Sequence, residues 1–360
     1  EYLISIIIRV MHILLKTSLS ILILFLIIIV FELCTGFNFH KLFNKKLYEC
    51  TDLSINTSDC NNNCKLVIKH RILEGKLKAS KSKVVICGLA RNIEKLFNIL
   101  KERLEKTGSY FLDYKIVLFE NNSNDNTRNL LKKWSNDNKN VILLECCSLG
   151  NCGCHLKKLA IDKNKIGMFE TERMRKMALY RNKYLDYVKK NLSSYDYMMV
   201  YDTDMEGCYS NDGLMHSISY NNWDMIASSI KSPLFGTFGL YTIVYDSLAY
   251  VDYDEKSIGK TASVIDQPIQ WIKMNTSVSQ SKKECSMLRV KSAFNGLAIY
   301  RINSILNSSY DISKCEHVSL HSDMIKNGKN KLYINPFFTG YSGYQGQVGS
   351  GLRAITSVFN

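Results

Sequence analysis

Short apolar runs alternate with helix-like stretches from residue 83 onward. Residues 83–89 form an apolar run that suits a buried strand, and apolar residues then recur at helical spacing between Ile93 and Leu104. Alternation of strands and helices at these lengths predicts an α/β fold, with a mostly parallel sheet and helices on both faces. The same pattern predicts further strands at 114–119, 141–144 and 195–201 and helices at 128–134 and 174–192.

The alternation becomes less regular beyond residue 202. The polar stretch 36–82, rich in Asn and Lys, indicates a stem before the folded body, and the Gly- and Ser-rich residues 341–360 indicate a flexible tail. The folded body is therefore predicted to span 83–340. Its second half is expected to hold strands at 224–230, 242–251, 293–300 and 331–335.

Residues 13–34 are almost entirely apolar, and their unbroken core at 21–31 has Arg9 and Lys16 before it and Lys41 after it. About 20 apolar residues are enough to cross a bilayer. We therefore expect residues 1–35 to be an N-terminal transmembrane anchor, with a cleaved signal peptide or a buried core helix as the alternatives. Basic residues on both sides leave only a weak charge bias for orientation.

The N-glycosylation sequons suit a body on the lumenal side of the membrane, where disulfides can form. That topology is a single-pass type II protein of the Golgi or endoplasmic reticulum. The 12 cysteines fall partly into two local groups that predict short-range disulfides, with a zinc site and free thiols as alternatives. One group holds Cys50, Cys60 and Cys64, and the other holds Cys146, Cys147, Cys152 and Cys154. The N-x-[ST] sequons are at Asn56, Asn121, Asn191, Asn275 and Asn307.

The chain is basic, but its basic residues are not clustered. The formal net charge is +14, and Lys and Arg are spread along the sequence. Nucleic-acid-binding proteins concentrate positive charge on one stripe or arm. We therefore expect no nucleic-acid partner.

Polar residues follow three of the predicted strands at their carboxyl ends. In a doubly wound sheet, ligands bind in the crevice beyond these ends. Asp202 and Asp204 follow the apolar run 195–201 and place two hard oxygen ligands there, which suits Mg²⁺ or Mn²⁺ bridging a diphosphate. The alternative is a solvated turn, in which Asp is common.

The loop after the second strand contains Glu120 and Asp125 among Asn and Ser residues. These carboxylates either accept hydrogen bonds from a nucleoside or form a turn that caps the next helix. Arg181 falls on the apolar stripe of its helix, between Met177 and Leu185. An inward-facing guanidinium is costly unless it is paired, so we expect it to meet a carboxylate or a phosphate.

Residues 315–323 bring two imidazoles and two carboxylates together in the sequence. Glu316 is a candidate general base or acid, and His321 is a candidate metal ligand. The alternative for a histidine in such a stretch is a hydrogen-bonded structural role.

These motifs, in this order and spacing, resemble those of GT-A-type glycosyltransferases. The nearest resemblance is to the fungal capsular α-1,3-mannosyltransferase family and related eukaryotic and viral transferases. It covers residues 83 to about 336, and each motif is short. The matching pieces are ICGLARN at 86–92, ENNSNDNT at 120–127, the pair Arg181-Asn182, YMMVYDTD at 197–204, Phe294-Asn295-Gly296, and the Glu316-x4-His321-x-Asp323 pattern.

The resemblance implies a GT-A-like, Rossmann-like fold and a role for each matching residue. Glu316, Asp323 and Arg181 would serve catalysis, and Asp202, Asp204 and His321 would hold the metal. The nucleotide-sugar donor would be bound by Arg91, Glu120, Asp125, Arg181, Asn182 and Asp202, and the sugar or acceptor pocket would be formed by Phe294, Asn295 and Gly296.

The leading hypothesis is a membrane-anchored glycosyltransferase that depends on Mn²⁺ or Mg²⁺. It would move a sugar, with mannose favoured, from GDP-mannose or a UDP-sugar to a glycan or glycoprotein acceptor. Two alternatives stay open: an inactive carbohydrate-binding protein on a transferase scaffold, and a metal-dependent nucleotidyl- or phosphotransferase. Inversion or retention at the sugar carbon is also open.

Overall fold

The computed structural model describes residues 45–145, 171–233, 242–255, 267–311 and 315–343, together with Ser20 and Ile23. Most of the predicted anchor, the Cys146–Cys154 group and most of the predicted tail lie outside these residues. Among the residues that are described, no helix has the length and apolar character needed to span a membrane.

The described strands form one mixed sheet. Its order is β3-β2-β1-β4-β9-β5-β10-β8-β7, with β6 paired to β5. The strands are β1 (Lys83–Ala90), β2 (Asp113–Glu120), β3 (Val141–Glu145), β4 (Tyr197–Tyr201), β5 (Met225–Pro233), β6 (Thr242–Val244), β7 (Val251–Asp252), β8 (Leu288–Ser292), β9 (Leu297–Arg301) and β10 (Leu332–Tyr341).

The two halves of the sheet differ in strand direction. Strands β1 to β4 are all parallel, as the alternation of strands and helices predicts. Beyond β4, the β5–β10 pair is the only parallel one among the described strands, and β9 runs antiparallel to both β4 and β5. The prediction of a mostly parallel sheet is therefore correct for the first half and wrong for the second, where the other described pairs are antiparallel.

The helices cover both faces of the sheet. They are α1 (Lys45–Glu49), α2 (Asn62–Ala79), α3 (Phe97–Gly108), α4 (Thr127–Asp137), α5 (Thr171–Asn191), α6 (Asn211–Ser219), α7 (Gln267–Lys283), α8 (Ile302–Ile305) and α9 (Glu316–Lys326). Two short 3₁₀ helices lie at Glu94–Leu96 and Ser247–Ala249.

Alternate side chains of each buried strand enter different cores. On β1, Val85 and Cys87 pack in the core that includes residues of α5 and α9. Val84 and Ile86 pack on the opposite face, against residues of α3, α4 and α6. A strand buried on both faces reads as a continuous apolar run, which explains why residues 84–89 carry no polar side chain.

The predicted strand 293–300 is interrupted by a turn. Asn295 and Gly296 have φ values of 56° and 79°, in the left-handed region that a strand does not use. β8 therefore ends at Ser292 and β9 begins at Leu297. The predicted strand 242–251 is similarly divided by a 3₁₀ turn.

Residues 45–82, which lie within the predicted stem, pack onto the folded body. Helix α2 lies against α6, and a Cβ on Gly75 would overlap the backbone of Met215, so the two helices are in close contact. The prediction of a short-range disulfide among Cys50, Cys60 and Cys64 is wrong. Cys50 pairs with Cys208 and Cys64 with Cys285, while Cys60 is a buried free thiol.

Candidate functional site

The candidate site lies at the carboxyl ends of β1 and β4. β2 and β3 extend the sheet to one side of β1 while β4 lies on the other, which is the topological switch point where open α/β sheets bind ligands. Residues 202–208, here called the aspartate loop, follow β4 and carry Asp202 and Asp204. Thr203 ties this loop to β1, because its hydroxyl donates to the carbonyl oxygen of Leu89 over 2.5 Å.

Arg181 joins two carboxylates in the crevice. Its Nη2 lies 3.1 Å from Oδ1 of Asp202, and its Nε lies 3.2 Å from Oε1 of Glu316. Its Nη1 donates to the hydroxyl of Tyr184. The guanidinium side chain is only 3% exposed. The inward-facing arginine thus meets carboxylates, and it links α5, the aspartate loop and the start of α9.

The crevice is rich in negative charge. Burial raises the pKa of Asp202 to about 7, with Asp204 and Glu316 adding to the rise and Arg181 opposing it. Asp204 itself is exposed at the mouth of the crevice. The raised pKa shows that the cost of burying the Asp202 carboxylate outweighs the stabilisation that it gains from the guanidinium.

Asp246 is a further carboxylate of the crevice that the sequence pattern does not single out. It lies just after β6 with φ 66° and ψ 58°, a left-handed conformation that non-glycine residues rarely adopt. Its carboxyl group interacts with Asp202, Glu316 and Arg181, and burial together with the two acids raises its pKa to about 7. Its position directly after an apolar run is the available sequence signal.

The turn at 294–296 supports the start of the aspartate loop. The backbone N–H of Asp202 donates to the carbonyl oxygen of Gly296 over 2.9 Å. A Cβ on Gly296 would lie 2.7 Å from Sδ of Met205, so a side chain there would displace the Met205 thioether. Asn295 is buried, and its amide donates to the carbonyl oxygen of Ser228. These residues therefore hold the loop in place.

Phe294 lies between Arg181 and His317. The guanidinium carbon is 5.1 Å from the Phe294 ring centre, and the His317 ring stacks on Phe294 at 3.6 Å. Burial lowers the pKa of His317 well below its usual value. His317 is thus a neutral ring in the core beneath the site.

The loops after β1 and β2 are joined to each other. Glu120 is buried and accepts from the Ser123 backbone over 2.7 Å and from Arg128 over 3.0 Å. Asp125 accepts from the Thr127 backbone at the start of α4, as the capping alternative predicts. Arg91 is exposed beside these loops. The structure thus gives Glu120 and Asp125 structural partners, and Arg91 is free to reach a ligand.

Two other candidate residues, Asn182 and Asp323, have structural contacts. Asn182 holds the backbone of Tyr310 through two hydrogen bonds. Asp323 accepts from the backbone of Ser309. Seven residues separate Asp323 from Glu316 on α9, which corresponds to about 10 Å along the helix. These contacts place Asp323 two turns away from the Arg181 network.

His321 does not fit the predicted role of a metal ligand. Its Nδ1 is 2.8 Å from the hydroxyl of Ser292, and its Nε2 is 3.0 Å from the hydroxyl of Tyr300. The side chain is fully buried. Both ring nitrogens are therefore used within the core, so the prediction is corrected to the structural alternative.

The donor set suits a divalent cation that is shared with a phosphate ligand. Within the described residues, no group of three or more His, Cys, Asp or Glu side chains is arranged as a complete metal cage. Mg²⁺ and Mn²⁺ sites that act on phosphates use one or two carboxylates plus phosphate oxygens. Asp202 and Asp204 provide such a pair, and the excess acidic charge around Arg181 favours a cation there.

Comparisons with known proteins yield solved structures only. No family model and no curated protein matches the chain. The mannosyltransferase PcManGT from Pyrobaculum calidifontis, in complex with GDP-Man and Mn²⁺, matches 78% of the chain with a TM-score of 0.42 and 10% identity. S. aureus TarS 1–349 matches 72% with a TM-score of 0.40 and 13% identity. In complex with UDP-GlcNAc, it also matches 72%, with a TM-score of 0.39 and 14% identity.

The chain spans 66%, 60% and 58% of the length of these three structures. At this level of similarity, function has to be inferred from the residues of the crevice.

Proposed function

We propose that the protein is a glycosyltransferase that binds a nucleotide-sugar donor together with Mn²⁺ or Mg²⁺ in the crevice at the ends of β1 and β4. The observation that carries the proposal is the position of Asp202 and Asp204 at the topological switch point, beside the buried Arg181–Glu316 pair. This crevice combines acidic ligands with a sheet edge suited to a nucleotide.

The residues of the crevice suit transfer of a sugar from a diphosphate. A bound cation would offset the negative charge that develops on the leaving diphosphate. Arg181 keeps Asp202 and Glu316 side by side, because it donates to both. Arg91, exposed at the end of β1, is placed to contact a phosphate or the nucleoside.

Glu316 is the proposed base for an acceptor hydroxyl if the reaction inverts the sugar carbon. It lies at the first position of α9, and its side chain is 13% exposed. Oε1 accepts from Arg181, while among the described residues Oε2 accepts only from the Cys315 thiol over 3.7 Å. Because a thiol is a weak donor, Oε2 is the oxygen proposed to take the proton. In a retaining reaction, a donor phosphate oxygen would take that role.

Donor, acceptor and location complete the proposal. Mannose from GDP-mannose is favoured by the resemblance of the sequence motifs, with UDP-sugars as the alternative donors, and the acceptor is a glycan or glycoprotein. The Cys50–Cys208 and Cys64–Cys285 disulfides support a body in an oxidising lumen, attached through the N-terminal apolar segment.

The test is release of nucleoside diphosphate by the purified full chain. GDP-mannose and a set of UDP-sugars are incubated with acceptor glycans, with Mn²⁺ or with EDTA. We expect one donor to be consumed only with metal, and Asp204→Asn to lower the rate about 100-fold. Asp137→Asn, the same change at an exposed position at the end of α4, is the matched control and retains the rate.

Two outcomes would contradict the proposal. One is sugar transfer at full rate in EDTA. The other is a folded protein that binds glycans and consumes no donor, which would support the inactive carbohydrate-binding alternative. Phosphoryl products in place of glycosyl products would support the phosphotransferase alternative.

A further inference from the structure

A buried arginine connects the aspartate loop to the segment that precedes the sheet. Arg103 lies on α3 and is 1% exposed. On one side, it donates to the carbonyl oxygens of Met205 over 3.3 Å and Glu206 over 3.0 Å. On the other, it donates to those of Tyr48 over 2.8 Å and Cys50 over 3.0 Å. One guanidinium thus holds two remote segments of backbone.

The same two segments are joined by further bonds. Cys50 and Cys208 form a disulfide across them. The backbone N–H of Cys208 donates to the carbonyl oxygen of Leu47, and that of Leu53 donates to the carbonyl oxygen of Tyr209. Residues 47–53 therefore run alongside the far end of the aspartate loop.

The chemistry of this contact requires an arginine. A buried cation is stable only if its donors are satisfied, and the planar guanidinium carries five N–H donors in a fixed fork. A lysine ammonium has three donors on a single nitrogen and cannot reach four carbonyl groups in two segments. The contact is thus a specific clamp and not a general electrostatic attraction.

The aspartate loop is held at both ends. Its start is fixed to Gly296 and to Leu89, as described above. Its far end is fixed by Arg103 and by the Cys50–Cys208 disulfide. Ligands of a cation must be held within about 0.5 Å of the productive geometry by such supports.

We infer that Arg103 and the Cys50–Cys208 disulfide are positioning groups that hold the aspartate loop in its cation-binding geometry. Residues 47–53 are then a part of the site. The inference rests on the proposed function for the use of the cation, but the geometry of the clamp itself does not depend on which sugar is transferred.

The experiment measures Mn²⁺ binding to the full chain directly, by electron paramagnetic resonance of free Mn²⁺, alone and with GDP or UDP. The test variants are Arg103→Lys and the double variant Cys50→Ser/Cys208→Ser. The matched control is Cys64→Ser/Cys285→Ser. It removes the other disulfide, whose cysteines lie outside the aspartate loop. We expect the Kd for Mn²⁺ to rise about tenfold or more in both test variants and less than about twofold in the control.

A second measurement needs no metal. Amide hydrogen exchange of the aspartate loop should be faster in both test variants than in the control. If Arg103→Lys does not fold, the comparison of Cys50→Ser/Cys208→Ser with the control Cys64→Ser/Cys285→Ser decides whether the clamp holds the loop. Test variants whose Kd and exchange equal those of the control would overturn the inference.

The two proposals fail in different ways. A wild-type chain that binds Mn²⁺ and transfers no sugar contradicts the proposed function, and the Kd comparison still decides the role of the clamp. A wild-type chain that binds no Mn²⁺, either alone or with GDP or UDP, overturns the inference.

Discussion

Replacing Arg181 with Met tests whether the buried ion pairs hold the crevice together. Met keeps most of the apolar length of the side chain and removes the charge. Arg181 is 3% exposed and contacts Asp202 at 3.1 Å and Glu316 at 3.2 Å. Removing one partner of a buried ion pair costs about 3–5 kcal/mol, because the remaining charge is left unpaired. We therefore expect Arg181→Met to lower the free energy of unfolding by about this amount at pH 8.

The matched control is Lys132→Met. Lys132 contacts Glu145 at 3.0 Å, but its side chain is 50% exposed, and exposed pairs contribute at most about 1 kcal/mol. Urea denaturation in EDTA at pH 8 and pH 5 gives the free energy of unfolding of both variants and of the wild type. The penalty for Arg181→Met should be smaller at pH 5, where protonation of Asp202 removes part of the unpaired charge. A penalty within about 1 kcal/mol of the control at pH 8 would refute the reasoning.

Two further predictions concern the turn and the acidic charge of the crevice. Gly296→Ala and Gly328→Ala both place a side chain at positive φ, with a cost of about 1–2 kcal/mol, but only the former meets Met205. We expect Gly296→Ala to lower the melting temperature more and to reduce donor turnover; equal effects of the two changes would count against this. The pKa of Asp246 is raised to about 7, so this buried carboxyl destabilises the folded chain increasingly as the pH rises from about 4 to 7. Asp246→Asn should thus stabilise the metal-free chain more at pH 8 than at pH 5 in urea denaturation, and a stability difference that does not change with pH would contradict this.

The first half of the fold follows from local pattern. Buried parallel strands read as apolar runs, so β1, β2 and β4 are recognisable, and the polar residues after them are recognisable as well. The second half is less periodic, and its strands range from two residues in β7 to ten in β10. The left-handed turn at Asn295 and Gly296 divides the predicted strand 293–300, and the Asn-Gly dipeptide is the turn signal that this prediction passed over.

The candidate site is predictable only where a residue conflicts with its surroundings. Arg181 is recognisable because it lies on an apolar stripe, and the structure shows it paired with carboxylates. Arg103, between Leu100 and Leu104 on α3, carries the same signal. Asp246 carries a weaker sequence signal, because the apolar residues around it do not recur at a regular helix or strand spacing.

Closeness in sequence misleads for the residues after Cys315. Glu316, His321 and Asp323 lie within one helix, α9, where five or seven residues separate side chains by one to two turns. Only Glu316 therefore reaches Arg181. Disulfide pairing is equally inaccessible from spacing, because the partners of Cys50 and Cys64 are brought near by the sheet and not by the chain.

The two disulfides set an order on the folding of the chain. The bonded cysteines are 158 and 221 residues apart in sequence. During synthesis, Cys50, Cys60 and Cys64 emerge long before their distant partners, and they are close enough to one another to form early local bonds. Any such local bond has to be broken by thiol–disulfide exchange before the native pairs form, and the Cys64–Cys285 pair can form only after Cys285 has been made. Residues 50–64 are thus synthesised early and covalently secured late.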